Sequence, residues 1–230
     1  MSAGILVNLL FRKSMITRLS LMKLYDYPKA PNPRRLRIYL AEKGIEIPTE
    51  QVDLATGEQL SDEFMSKNPL GTVPVLELDD GQFIVDSLVI CRYLEELNPE
   101  PALLGKTPLE RARVNWWLRR IEHDGFFAVA ECFRNKAPHF ADHAFAGPCK
   151  VPQVEALIER GFKRTLNFFA VLNEHLKDRE FVATDDYTLA DISAQVAVDF
   201  GRWIKAEPAE DHEALKEWHQ RLASRPSAGV

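Results

Sequence analysis

The sequence lacks clustered positive charge. Its 29 Lys and Arg are scattered among 34 Asp and Glu, for a formal charge of −5. Phosphate backbones are held by clustered cations, so nucleic acid is excluded as the expected partner. Cysteine is scarce: Cys91, Cys132 and Cys149 are an odd number at unrelated spacings, with no Cys-x-x-Cys. That excludes a disulfide framework, a paired metal-ligand pattern and a dithiol oxidoreductase, and it fits a reducing cytosol. No apolar run approaches the about 20 residues that span a bilayer, so no membrane role is expected. The apolar stretch near the start, Ile5 to Phe11, has Asn8 inside it and no charged segment before it. No clean small-residue cleavage site follows. Residues 1–22 therefore read as an extension, disordered or non-native, ahead of a start at Met22, with a targeting peptide as the weaker alternative. Internal repeats and low-complexity tracts are also missing.

What remains is enough apolar material for a sizeable core, at 46% of 230 residues, in one large domain or two modest ones. Lys23 to Tyr27 reads as a strand that stops at Pro28. Pro28 to Pro33 holds three prolines, which suits a loop opening into a helix with Pro33 at its first position and Gly44 as its stop. Ile47 to Leu54 reads as a second strand, and Pro48 places it at an edge or starts it late. A short helix is expected around Ser61 to Ser66. Val75 to Leu78 and Gln82 to Val85 flank Asp79-Asp80-Gly81, a hairpin signal. Ser87 then caps a helix whose apolar residues Ile90, Tyr93, Leu94 and Leu97 fall at helical spacing.

The order β-α-β-α-β-β-α over residues 23–98 is a compact α/β unit with a mixed four-stranded sheet. Residues 99–106, broken twice by proline, read as a linker. Over 107–226 strand signals vanish, and the segment reads as an all-helical domain. Thr107-Pro108-Leu109-Glu110 carries a cap, Pro at the first position and Glu three residues after the cap, opening a helix that reaches about Phe133. Pro138 to Pro152 is a loop, and Val154 to Phe169 carries a long apolar stripe. Thr188-Leu-Ala-Asp191 is a second capping box, opening a helix with Leu189, Ile192, Val196, Phe200 and Trp203 on one face. A last helix spans Asp211 to Ser224.

Two segments carry a resemblance. Asn68-Pro-Leu-Gly-Thr-Val-Pro-Val-Leu76 and Asp80-Gly-Gln-Phe-Ile-Val-Asp-Ser-Leu-Val-Ile-Cys-Arg-Tyr-Leu94 closely resemble the glutathione-binding half of cytosolic glutathione transferases. Ala30-Pro-Asn-Pro-Arg-Arg-Leu-Arg37 and Thr188-Leu-Ala-Asp191 extend the match, which runs from about Met22 to Pro226. The resemblance implies a thioredoxin-like N-terminal domain and an all-α C-terminal domain. It implies glutathione as co-substrate with no further cofactor and no metal, a small hydrophobic electrophile as acceptor, a homodimer, and a cytoplasmic location.

By the same resemblance, Val73 pairs its backbone with the cysteinyl part of glutathione and Pro74 is a cis-proline. Asp86 and Ser87 receive the γ-glutamyl group at a helix start, where free N–H donors and the dipole favour a carboxylate; outside this context the pair is a plain cap. Gln59 stands where relatives present His or Lys to the glycyl carboxylate, or is a solvated loop residue. Thr188 and Asp191 serve folding.

The departure lies at the sulfur. Related sequences place Tyr, Ser or Cys early in the chain to activate the thiol, and here the matching position is Ala30. In this respect the chain looks like the atypical yeast-type subfamily, in which a helix N-terminus and a positioned water stabilise the thiolate. The residues that hold that water align near Ala130 and Arg134, and neither type is retained. What remains is the start of the first helix with its N–H groups, the side chain of Asn32, and the positive field of Arg34 and Arg134. Tyr25 reads as a strand side chain, and Tyr27, closer to the loop, is a secondary candidate. In the helical domain Trp117, Phe126, Phe127, Cys132 and Phe133 either shape the acceptor site or serve as core. Three activities fit: conjugation, glutathione binding with little catalysis, and glutathione-dependent peroxidase or isomerase chemistry.

Overall fold

The computed structural model describes residues 21–230, and the expected N-terminal extension lies outside them apart from its last two residues. The described chain divides into two compact units between Pro101 and Ala102.

The first unit is built on a four-stranded sheet in the order β2-β1-β3-β4. Its strands are β1 (Lys23–Asp26), β2 (Thr49–Gln51), β3 (Val75–Glu77) and β4 (Phe83–Val85). β1 runs parallel to β2 and antiparallel to β3, and β3 pairs antiparallel with β4 in the register Val75–Val85. The Asp-Gly hairpin forms as expected, closed by the Leu78 N–H to Gln82 carbonyl bond at 2.8 Å, with Gly81 at φ 81°. β2 is an edge strand and starts at Thr49, after Pro48, because proline has no N–H for the ladder.

Among the described residues three α-helices complete this unit: α1 (Pro31–Lys43), α2 (Asp62–Lys67) and α3 (Ser87–Leu97). α1 begins at Pro31, two residues earlier than the sequence suggested, and stops at Gly44 in the left-handed conformation. Pro31 and Pro33 both fall in the first turn, where a missing N–H leaves no intrahelical bond unmade. α1 is tied to α3 by Lys43, buried and 2.7 Å from Glu95, and by the Tyr39 hydroxyl, which donates to Glu95 at 2.8 Å. Leu36, Ile38, Tyr39, Leu76, Ile90 and Leu94 are fully buried core.

The second unit is helical: α4 (Pro108–Arg120), α5 (Phe127–Lys136), α6 (Ala156–Leu176), α7 (Leu189–Gly201) and α8 (Glu213–Ala223). α4 and α5 make the one long helix expected, but a π-turn over Ile121–Phe126 joins them. A Cβ on Gly125 would lie 3.0 Å from the Ala197 Cβ and 3.3 Å from the Phe168 ring. The π-turn therefore brings a bare backbone against α6 and α7. The side chain of Arg164 donates to the His123 carbonyl at 2.6 Å, satisfying a group within that turn. Gly161 has the same logic, since a Cβ there would meet the Ala128 carbonyl oxygen at 2.6 Å.

α7 is buried over Leu189 to Val198, on all faces rather than one, and it ends at Gly201. Trp203 falls outside it, 47% exposed. Among the described residues no helix is long and apolar enough to cross a membrane.

Candidate glutathione site

β1 delivers the chain to the start of α1. Its fourth residue, Asp26, is buried and accepts from Arg37 at 2.8 Å, while the other guanidinium nitrogen of Arg37 donates to the Pro28 carbonyl at 2.8 Å. This clamp fixes the loop through Ala30, and the Ala30 N–H closes it by bonding the Tyr27 carbonyl at 3.1 Å. Ala30 is the N-cap of α1 and offers no side-chain hydrogen bond. Pro31 and Pro33 have no N–H, and the Arg34 N–H is bonded to the Ala30 carbonyl. The donors expected across Asn32 to Arg35 thus reduce to one first-turn amide, that of Asn32.

The central side chain is one that the sequence reading passed over. Arg35 is fully buried, and it donates to the Ser87 hydroxyl from Nε at 3.2 Å and from Nη2 at 2.7 Å. Nη2 also donates to Asn32 Oδ1 at 2.9 Å. A charged donor on these oxygens fixes their polarity. The Ser87 oxygen accepts, so its O–H is left to donate, and the Asn32 amide is turned so that its NH₂ is left to donate. Asn32, half-buried, and Ser87, buried, come from two different helices and are both left as donors on one buried cation. Arg35 lies four residues before the buried Tyr39, the one signal in the sequence that it belonged to the inner face of α1.

The α3 start differs from expectation in one respect. Asp86, not Ser87, is the N-cap: its Oδ1 accepts from the Leu88 N–H at 2.8 Å and the Val89 N–H at 3.3 Å. Asp86 takes φ 74°, which for a non-glycine residue is strained and carries a cost of about 1–3 kcal/mol. That path swings the Ser87 side chain inward to Arg35. The second carboxylate oxygen of the exposed Asp86 has no hydrogen-bond partner among the described residues, which leaves it for a cation.

Val73–Pro74 is cis. Neither the N–H nor the C=O of Val73 is hydrogen-bonded among the described residues. An unpaired main-chain edge of this kind accepts an extended peptide as an added strand. Gln59 sits beside this segment, since a Cβ on Gly71 (φ 57°) would come within 3.1 Å of the Gln59 carbonyl oxygen. The Gln59 Oε1 is buried with no hydrogen-bond partner.

Two tyrosines separate cleanly. Tyr25 is core, edge-on to Phe64, and its hydroxyl donates to Glu77 at 2.7 Å. Burial first, and Glu77 second, push its pKa up, so it is no acid for a thiol. Tyr27 packs half-buried against the cluster containing Val73, and its hydroxyl has no partner among the described residues.

The residues expected around the acceptor do not share one environment. Trp117 is buried, packs at a tilt against His175 with ring centres 4.3 Å apart and lines a cavity of about 640 Å³ with Trp116 and Phe181. Phe127 is 53% exposed, and Phe126 is core. Cys132 is buried where α5 meets Gly161, and burial raises its thiol pKa. Its role is packing, because a small side chain suits that close helix approach. Phe133 is half-buried among other aromatic rings.

Comparison with known proteins agrees with this fold. The family model "Glutathione S-transferase, N-terminal domain" matches residues 30–97, and "Glutathione S-transferase, C-terminal domain" matches residues 128–226. Glutathione S-transferase 2 of Saccharomyces cerevisiae is 33% identical over 90% of this chain and 87% of its own length. The crystal structure of Gtt2 from Saccharomyces cerevisiae superposes with a TM-score of 0.83 at 33% identity, covering 90% of this chain and 98% of that one. A glutathione S-transferase domain-containing protein from Marinobacter aquaeolei VT8 gives 0.82 at 34% identity, covering 89% and 98%. The chain belongs to the glutathione S-transferase family, with a thioredoxin-like domain followed by a helical one.

Proposed function

We propose that the chain conjugates glutathione to small electrophiles. Glutathione lies extended along Val73, with its γ-glutamyl carboxylate on the Ser87 hydroxyl and its ammonium on the free oxygen of Asp86. Its glycyl carboxylate meets the Gln59 amide, and its sulfur faces Asn32. The observation that carries this reading is Arg35, which turns Asn32 and Ser87 into donors aimed away from itself. Two donors so fixed suit a ligand with anionic groups at both places.

The chemistry follows from charge. A free thiol has a pKa of about 8.5, so little is thiolate at neutral pH. The Asn32 N–H, the Asn32 amide and the positive end of α1 favour the charged sulfur. A helix end contributes about 0.3–1 kcal/mol, and about 2 in partly buried geometry. The thiol proton passes to water. The thiolate then forms the C–S bond at the electrophilic carbon, and the leaving group departs with its electron pair.

The absence of a hydroxyl at Ala30 favours a second reading, a glutathione-binding protein with little catalysis. Retention on immobilised glutathione tests the site common to both. The ultraviolet absorbance of bound thiolate, followed against pH, then separates them. If the bound sulfur titrates as it does in water, conjugation is excluded. Ser87→Ala and Asp86→Ala are expected to weaken glutathione binding more than Asn32→Ala, and equal affinities across the three would contradict the placement. We read the working form as a cytosolic homodimer. Leu70 and Val89, 62% and 50% exposed in the isolated chain, support that state, and sedimentation equilibrium tests it.

A further inference from the structure

Arg134 stands out in the helical unit because its charge has no counter-ion. Among the described residues no carboxylate lies within salt-bridge distance of its guanidinium. The acid one turn before it on α5, Glu131, is engaged by Arg160 at 2.5 Å. A half-buried cation without a carboxylate is unfavourable on its own, and such groups are retained where something else supplies the negative charge.

The side chain is also rigid. Nη2 donates to the carbonyls of His143 at 2.6 Å and Phe145 at 2.8 Å, and the guanidinium carbon lies 4.0 Å from the Phe140 ring centre. Nε is buried with no hydrogen-bond partner, and Nη1 has none among the described residues. Burial disfavours the charged form, which deepens the need for an anion. The surroundings are aromatic. Phe133, the next residue on α5, packs edge-on to Phe140 at 5.5 Å and to Trp203 at 5.1 Å, and Trp203 is 47% exposed. A held cation with unused donors, beside half-open rings, has the composition of a small-molecule subsite.

We propose that Arg134 and the rings of Phe133, Phe140 and Trp203 select acceptors that carry a carboxylate on an aromatic ring. This rests on the reading that the helical unit receives the electrophile. Arg134 touches the substrate's anion rather than the reacting carbon, so it sets specificity. For a chloronitrobenzoate, the glutathione thiolate attacks the ring carbon bearing chlorine. The C–S bond forms, the ring holds the charge, and the C–Cl bond breaks with its pair leaving as chloride.

The test compares chloronitrobenzoate with its uncharged amide, on the full chain and on Arg134→Gln and Arg134→Lys. Wild type is expected to favour the benzoate in kcat/KM by about tenfold or more, the scale of a hydrogen bond to a charged group. Arg134→Gln erases that preference, bringing the benzoate-to-amide ratio of kcat/KM to about one. Arg134→Lys keeps part of it, which a mere clamp on the His143 and Phe145 carbonyls would not allow. Equal use of both acceptors by wild type overturns the proposal. So does an equal loss on both acceptors in Arg134→Gln, or a loss confined to glutathione affinity. Calorimetric binding of unreactive nitrobenzoate keeps the two levels apart. Should wild type conjugate neither acceptor, the enzymatic reading fails, while nitrobenzoate bound about tenfold more weakly by Arg134→Gln still supports the subsite, and no binding to wild type refutes it.

Discussion

The starts of α1 and α7 solve one problem in opposite ways. Every helix begins with backbone N–H groups that have no partner in their own helix. At α7 the first amide, that of Leu189, donates to the Leu103 carbonyl at 2.8 Å, and the Asp191 carboxylate is fully buried and engaged: it accepts from the Val182 N–H at 2.8 Å, the Thr188 N–H at 3.0 Å, the Thr188 hydroxyl at 3.1 Å and the Trp218 indole at 3.3 Å. At α1 the cap is Ala30, which offers nothing, and prolines at the first and third positions thin the donors to one. A start whose cap carboxylate is buried and fully engaged serves folding, because no ligand can reach it. An unsaturated start held in place by Arg37 and Arg35 is completed from outside.

The largest expected effect tests the folding side of that contrast. Asp191→Ala leaves four buried donors without an acceptor, and unsatisfied buried groups are expensive; the loss should exceed about 3 kcal/mol in urea denaturation. The exposed box at α4 has the same reciprocal bonds, Thr107 to Glu110, but lies in water. Glu110→Ala should therefore cost about 1 kcal/mol or less. Equal losses would show that burial is not what separates the two boxes.

Next in size is Arg35→Gln, which tests the ligand side. The substitution removes the charge that orients Asn32 and Ser87 together. Glutathione affinity should fall by about tenfold or more, beyond the effect of Asn32→Ala, since charge-assisted hydrogen bonds are about twice as strong as neutral ones. Binding should show it as a higher glutathione KM together with a raised pKa in the kcat profile. A shift in stability alone, with both unchanged, would reduce Arg35 to packing.

Much of this architecture was legible in the chain because local chemistry decides it. Asp80-Gly81 specifies the hairpin, Pro48 delays β2, Gly44 stops α1, and each capping box opens the helix expected of it. The remainder depends on partners distant in sequence. The π-turn needs Gly125 to meet Ala197 and Phe168, a contact no periodicity announces. Arg35 reads as a solvated helix residue until α3 brings Ser87 onto it, 52 positions away. Asp86 displaces Ser87 as the cap because the path out of β4 takes φ 74°, which residue preferences do not foretell. Cys132, plausible in a site by its helix position, is claimed by the close approach of α6.

A smaller effect separates the tyrosines. Tyr25→Phe removes a hydroxyl already bonded to Glu77, so stability should fall by about 1 kcal/mol. The titration of bound glutathione should not move. Tyr27→Phe alters a hydroxyl with no partner among the described residues, so its stability should stay within about 0.5 kcal/mol. A displaced thiol titration in the Tyr25 variant, and none for Asn32→Ala, would move the sulfur away from α1.

A comparably small stability change is expected from Ala30→Ser, although it introduces the residue type that relatives of the Ser kind carry. Serine in place of alanine at an N-cap ordinarily stabilises by about 0.5–2 kcal/mol, through a bond from the second or third N–H of the helix. Here the third position is Pro33, which has no N–H, so the hydroxyl has the Asn32 amide alone as its donor. The gain should sit near about 0.5 kcal/mol. That same amide is the one assigned to the sulfur, so cap and thiolate compete for it. If the serine hydroxyl turns to the sulfur instead, the bound thiol titrates lower and conjugation speeds up with no gain in stability. If it caps the helix, stability rises and the titration does not fall. Measuring both in one variant reveals whether the open start of α1 is reserved for the ligand, and seeing both gains together would mean that a second donor, not the Asn32 amide, holds the sulfur.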